Sequence, residues 1–172
     1  MRFREYIIGV LLVGSLFLSS IIYKKSKEPV LRNFPIKKVI KKQDSDTPYF
    51  YIYIFYSKRN CYNCLRVIDV LNDLPEYFIV RGVVPEGELK DEKELREVTG
   101  AEFELEPISK KYNRFLPLYS PTIYGIDSQG IVYFILPGVP AEKEYLKKFI
   151  MTFYYKAYDI LKDCGGACGK GS

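Results

Sequence analysis

The sequence predicts an α/β domain, a mixed central sheet with helices on both faces, behind an N-terminal transmembrane helix. Three observations predict it. The run Tyr49 to Tyr56 (YFYIYIFY) is apolar on both faces, as a central strand covered on each side must be. Beyond it, strand-like and helix-like segments alternate and end in two short apolar strands and a long amphipathic helix. Before it, Tyr6 to Tyr23 (YIIGVLLVGSLFLSSIIY) carries no charge and has about the length of a helix that spans a bilayer.

Bulk properties agree with one domain plus an appendage. The chain has 172 residues, 48% hydrophobic and 27% charged, values that fit a globular protein and not a disordered one. Its net charge of +5 comes with no basic recognition helix and no aromatic-and-basic repeat, so nucleic acid is not an expected partner. The expected organisation is a membrane anchor at 1–23, a basic stalk at 24–47, a domain at 48–162 and a flexible Gly/Cys tail at 163–172.

The anchor has Arg2 and Arg4 before it and Lys24, Lys25 and Lys27 after it. A cleaved signal peptide is the competing reading, but Ser19-Ser20-Ile21-Ile22-Tyr23 offers no small-x-small cleavage site. A buried core helix fits a run this long at an extreme terminus least well. The stalk is broken by Pro29 and Pro35 and carries Arg32, Lys37, Lys38, Lys41 and Lys42. It reads as a segment near a membrane surface or as a plain solvated linker.

The elements of the domain follow in order. Tyr49 to Tyr56 is the first strand. Cys61 to about Leu74 is a helix with Cys64, Leu65, Ile68 and Leu71 on one stripe, ended by Pro75. Tyr77 to Val84 is a second strand, and Glu88 to Thr99 a charged amphipathic helix with Leu89, Leu95 and Val98 inward, stopped by Gly100. Residues 101 to 119, with prolines at 107 and 117, read as an irregular insertion that holds a short helix around Ile108 to Phe115. Thr122 to Ile126 and Ile131 to Leu136 are strands joined by the turn Asp127-Ser128-Gln129-Gly130, an antiparallel hairpin. Ala141 to Leu161 is a closing helix with Leu146, Phe149, Ile150, Phe153, Ala157, Ile160 and Leu161 on its inner face. This order predicts two parallel crossovers followed by a hairpin.

Cys61-Tyr62-Asn63-Cys64 stands at the strand-to-helix turn. A Cys-x-x-Cys there reads as a dithiol redox site, because unpaired N–H groups at a helix start stabilise a thiolate on the first cysteine while the second lies one turn inside. The spacing alone also fits half of a zinc site, or two ordinary cysteines.

The element order, the Cys-x-x-Cys after the first strand and Ser120-Pro121-Thr122 at the start of the third together resemble the thioredoxin fold, over roughly Pro48 to Lys162. The resemblance implies a cis proline at Pro121 that packs against the dithiol and turns Ser120 outward, so that a substrate segment pairs there as an added strand. Gly138 matches a family glycine near the same groove. With its anchor, its single domain and its extra residues before the proline, the chain resembles the TlpA-like thiol:disulfide oxidoreductases. Those proteins face the bacterial periplasm and reduce or exchange disulfides in exported proteins.

There are departures. The tryptophan usual before the first cysteine is replaced by Asn60, and the buried acid of cytoplasmic thioredoxins by Phe55. Proton transfer from Cys64 then falls to water or to another group such as Glu102 or Glu104.

The function expected is therefore that of a membrane-anchored thiol:disulfide oxidoreductase, acting as a reductase by family analogy. Cys61 attacks and Cys64 resolves. Its expected partners are disulfide-bearing proteins and a redox partner protein, and it needs no cofactor. Lys58 and Arg59 either favour the thiolate or are screened loop charges. A second pair, Cys164 and Cys168, reads as an electron relay, as part of a four-cysteine metal site with Cys61 and Cys64, or as incidental; the absence of histidine counts against the metal. A tethered binding module that uses the same groove is the non-enzymatic alternative.

Localisation is contested by two arguments. Two basic residues before the anchor and eight after it (Lys24, Lys25, Lys27, Arg32, Lys37, Lys38, Lys41, Lys42) favour a cytoplasmic domain. An apolar run so close to the start resembles an export signal, and disulfide chemistry has its work outside the cytoplasm. The family resemblance tips the expectation to an inner-membrane protein whose domain faces the periplasm.

Overall fold

The computed structural model describes residues 31–37, 48–60, 64–138 and 142–163. The expected anchor Tyr6 to Tyr23 and the tail cysteines lie outside them. Among the described residues no helix is long and apolar enough to cross a membrane.

Strand β1 (Phe50–Phe55) is followed by a 3-10 turn, Lys58–Asn60, and by α1 (Cys64–Asn72). Strand β2 (Phe78–Val84) leads into α2 (Glu86–Leu89) and α3 (Glu92–Thr99). Then come β3 (Glu104–Pro107), a 3-10 helix at Lys110–Phe115, the hairpin of β4 (Thr122–Asp127) and β5 (Val132–Pro137), and α4 (Lys143–Asp163). The strands form one mixed sheet in the order β3-β2-β1-β4-β5.

β1 is the centre of this sheet because it is apolar on both faces. Phe50, Ile52 and Ile54 join a core with Cys64, Ile68 and Leu71 of α1, Leu95 of α3, and Leu146, Ile150 and Ala157 of α4. Tyr51, Tyr53 and Phe55 face the other way, against Phe34, Tyr112, Phe115 and Tyr124. The first face buries aliphatic side chains that each contribute about 1.5–3 kcal/mol. The second is aromatic, and the hydroxyls of Tyr53, Tyr112 and Tyr124 in it are bonded. Tyr53 Oη accepts from the Lys37 N–H at 3.0 Å, Tyr124 donates to the Phe115 carbonyl at 2.7 Å, and Tyr112 donates to Glu106.

The structure corrects several sequence-based expectations. Residues 101–119 are not wholly irregular, since Glu104–Pro107 is a parallel edge strand in register with β2, Arg81 opposite Glu104. The guanidinium of Arg81 is buried and ion-paired with Glu104 across that register. The second parallel crossover therefore ends on β3. The strand at Thr122 instead runs antiparallel to β1, Phe55 opposite Thr122 and Phe50 opposite Asp127.

Among the described residues the long helices cover one sheet face; the other is closed by the 3-10 helix Lys110–Phe115 and by the extended segment 31–37. Those residues, expected within the stalk, are joined to the domain. Phe34 is buried, its N–H donates to the Gly130 carbonyl at 2.9 Å, and Leu31 bridges Val132 of β5.

Two helix stripes also differ from the expected ones. Leu65 is exposed while Val67 and Val70 are buried, and Val98 is exposed while Thr99 is buried, its hydroxyl donating to the Leu95 carbonyl. Gly100 does end α3, in the left-handed conformation that glycine adopts freely. Gly125 has a packing reason: a Cβ there would lie 2.0 Å from the ring of Phe134.

Burial pushes the Tyr53 hydroxyl from 10.0 up to about 12, and raises Tyr112, Tyr124 and Tyr56 as well. An unfolded chain would ionise these groups near 10, so their stabilisation is complete below that pH and is lost as pH rises through the folded values. For Tyr53 the loss amounts to about 3 kcal/mol. A spectrophotometric titration is expected to show a fraction of the sixteen tyrosines ionising only together with loss of far-ultraviolet dichroism, above pH ~10. Full tyrosinate absorbance with intact dichroism would contradict this burial.

Candidate functional site

The carboxyl end of β1 gathers Cys64, Ser120 and Pro121. β1 leaves the sheet at Phe55 and the chain turns through Lys58–Asn60 into α1, whose first described residue is Cys64. Cys64 is 1% exposed and disulfide-bonded, to a cysteine outside the described residues. Cys61, Tyr62 and Asn63 lie outside them too. The antiparallel register sets Thr122 beside Phe55, which brings Ser120 and Pro121 to the same end of the sheet.

The Ser120–Pro121 peptide bond is cis, Ser120 is exposed and Pro121 buried. Gly138, at a φ of 82°, donates its N–H to the Pro121 carbonyl at 2.7 Å, and the Thr122 hydroxyl donates to the Tyr119 carbonyl at 2.7 Å. Both bonds fix the turn that presents Ser120. Leu116, Leu118 and Tyr119, just before it, are exposed.

The loop between β1 and Cys64 is tied to the end of β2 by a residue that the sequence reading missed. Glu88 of α2 is 9% exposed; its Oε1 accepts from the Ser57 hydroxyl at 2.6 Å and its Oε2 from the Lys58 N–H at 2.8 Å. Hydrogen bonds to a carboxylate contribute about 1.5–3 kcal/mol each, so this pair anchors the loop. The Arg59 N–H donates in turn to Ser57 Oγ at 3.3 Å. The Lys58 ammonium pairs with Glu94 of α3 at 2.9 Å, a half-exposed contact that contributes little. Nothing in the sequence separates Glu88 from the other acids of this stretch, Glu86, Asp91, Glu92, Glu94 and Glu97.

The two acids considered for proton transfer are elsewhere. Glu104 is engaged with Arg81 on the sheet edge. Glu102 sits by the far end of α1, its N–H donating to Asn72 Oδ1. Phe55 is 2% exposed and packs against the rings of Tyr112 and Tyr124, so no carboxylate stands at that position. Among the described residues, no group of three or more Cys, Asp or Glu side chains is placed to hold a metal.

Helix α4 carries the chain away from this end. The ring of Tyr154 lies 6.1 Å from Phe50 and 5.1 Å from Phe78, at the starts of β1 and β2. Asp163 lies a further stretch of helix beyond, about 13 Å along its axis.

A five-stranded mixed sheet with a helix after its central strand and a cis proline heading the adjacent antiparallel strand decides the fold. It is thioredoxin-like. Solved structures agree. A putative thiol:disulfide interchange protein DsbE from Chlorobium tepidum superposes with a TM-score of 0.53 at 22% identity, over 63% of this chain and 82% of that one. A thioredoxin-family thiol:disulfide interchange protein from Chlorobium tepidum TLS gives 0.51 at 17%, over 63% and 81%. A putative thioredoxin from Neisseria meningitidis gives 0.51 at 16%, over 66% and 79%. No family model and no curated protein matches the sequence.

Proposed function

We propose that this thioredoxin-like chain is a thiol:disulfide oxidoreductase whose working pair is Cys61 and Cys64. The observation that carries the reading is Cys64, buried and disulfide-bonded at the head of the helix after β1, at the same sheet end as the cis proline. Spacing supports Cys61 as its partner, since it stands three residues before Cys64 in a Cys-x-x-Cys. We read the tail cysteines, Cys164 and Cys168, as acting apart from this pair.

In the reducing direction the Cys61 thiolate attacks one sulfur of a substrate disulfide. A Cys61–substrate bond forms as the substrate S–S bond breaks, and the released thiolate takes a proton. Cys64 then loses its proton and attacks Cys61, forming the Cys61–Cys64 disulfide and freeing the second substrate thiol. Two electrons pass to the substrate, and a dithiol donor protein returns them. Ser120 would pair with the backbone of the substrate segment as an added strand, with Pro121 holding its orientation.

With dithiothreitol as donor the wild type is expected to reduce insulin disulfides. Cys61→Ser abolishes turnover, and Cys64→Ser accumulates a mixed disulfide. An active Cys61→Ser variant, or trapping by Cys61→Ser in place of Cys64→Ser, would overturn these roles.

The reading extends to location, with Tyr6 to Tyr23 as a single-pass anchor and the domain on the periplasmic side. Disulfides persist there, and long domains cross largely regardless of charge. Alkaline phosphatase fused after Lys162 is expected to be active. Inactive phosphatase alongside a fluorescent cytoplasmic reporter at the same junction would place the domain inside.

A further inference from the structure

We propose that Glu88 is a positioning residue for the dithiol, a buried carboxylate that clamps the loop entering Cys61 and sets the charge felt by its thiol. The inference rests on the dithiol reading above and adds to it a residue from a different element. Its ground is geometric. Both carboxylate oxygens are used, one on the Ser57 hydroxyl and one on the Lys58 N–H, and Ser57 Oγ relays the contact to the Arg59 N–H. All three bonded residues belong to the short segment between the last residue of β1 and Cys61. From Lys58 to Cys61 the chain spans at most about 11 Å, so chain connectivity alone keeps the Cys61 backbone within about 14 Å of the carboxylate.

The position also explains why an acid is kept at a corner where aliphatic packing would suffice. β1 ends at Phe55, and without a tether the loop that follows would be held only by its two ends. Glu88 joins that loop to the corner after β2, which the parallel pairing of β1 with β2 already fixes in space. Among the described residues the other charged groups at this corner include Lys58 and Arg59 on the loop, Glu86 on α2, and Glu94 and Arg96 on α3, with the buried hydroxyl of Tyr56, the residue after β1, beside them. Lys58 is neutralised by Glu94 and Arg96 by Glu92. Among the described residues the partners of Glu88 are uncharged donors, the Ser57 hydroxyl and the Lys58 N–H, and no cation is paired with it.

Two consequences follow, and they separate positioning from mere support of the fold. Loss of the clamp loosens the loop and lowers exchange. Loss of the charge alone favours the thiolate and lowers the pH at which Cys61 ionises. The test uses the full-length chain carrying Cys164→Ser and Cys168→Ser, reduced and in detergent. The alkylation rate of Cys61 by iodoacetamide is followed against pH and assigned by peptide mass, beside insulin reduction and the unfolding midpoint.

Glu88→Gln is expected to move the alkylation midpoint down by about half a unit. Glu88→Ala is expected to cut kcat/KM about tenfold. Ser57→Ala, which removes one arm of the clamp and no charge, lowers kcat/KM less and leaves the midpoint in place; it also serves if Glu88→Ala does not fold. An alkylation midpoint in Glu88→Gln that coincides with the parent's overturns the proposal, as does Ser57→Ala or Glu88→Ala with parental kcat/KM. Alkylation needs no substrate disulfide, so a parent inactive on insulin counts against the exchange reading while the shift in Cys61 still decides the role of Glu88.

Discussion

Burial of β1 on both faces is the constraint from which the remaining architecture follows. Its six residues are 0–3% exposed. Alternation sends Phe50, Ile52 and Ile54 into the core beneath α1 and α4, and Tyr51, Tyr53 and Phe55 into the aromatic layer. A slip of one residue would exchange the two sets. It would put tyrosine hydroxyls among aliphatic side chains and take Tyr53 Oη away from the Lys37 N–H. The register is therefore fixed by hydroxyl chemistry as well as by apolar area. With it is fixed the point at which the chain leaves the sheet toward Cys64.

That exit point collects groups from distant parts of the chain. Antiparallel pairing of β4 brings Pro121, parallel pairing of β2 brings the corner with Glu88, and β5 returns Gly138 to the Pro121 carbonyl. None of these arrivals depends on a long loop holding its own shape. The sheet edges are protected differently. β3 is short and acidic and ends in Pro107, while β5 is bridged by Leu31. A segment that reads as a basic linker thus completes the aromatic layer through Phe34, whose ring packs on Tyr53, Phe115 and Tyr124 at 4.8, 4.7 and 5.6 Å.

Much of this was legible in residues with strong local signals. The two-faced apolar run marks β1, the Asp-Ser-Gln-Gly turn marks the hairpin, and Gly100 marks the end of α3. The cis bond at Ser120–Pro121 followed from family resemblance. β3 was missed because Glu-Leu-Glu-Pro has no apolar alternation; its stability comes from pairing with β2 and from the Arg81–Glu104 contact. Leu65 and Val98 were assigned inward by spacing alone, whereas the packing of α1 against both α3 and α4 turns Val67 and Val70 in. Glu88 was hidden for a plainer reason: a buried acid and five exposed ones look alike until the chain folds back on Ser57.

In the function proposed above, Cys61 and Cys64 form a self-contained dithiol couple at the carboxyl end of β1. Disulfide mapping of the air-oxidised full-length protein by non-reducing proteolysis and mass spectrometry is the decisive measurement. The expected product is a peptide in which Cys64 is linked to Cys61. Linkage of Cys64 to Cys164 or Cys168 would contradict it.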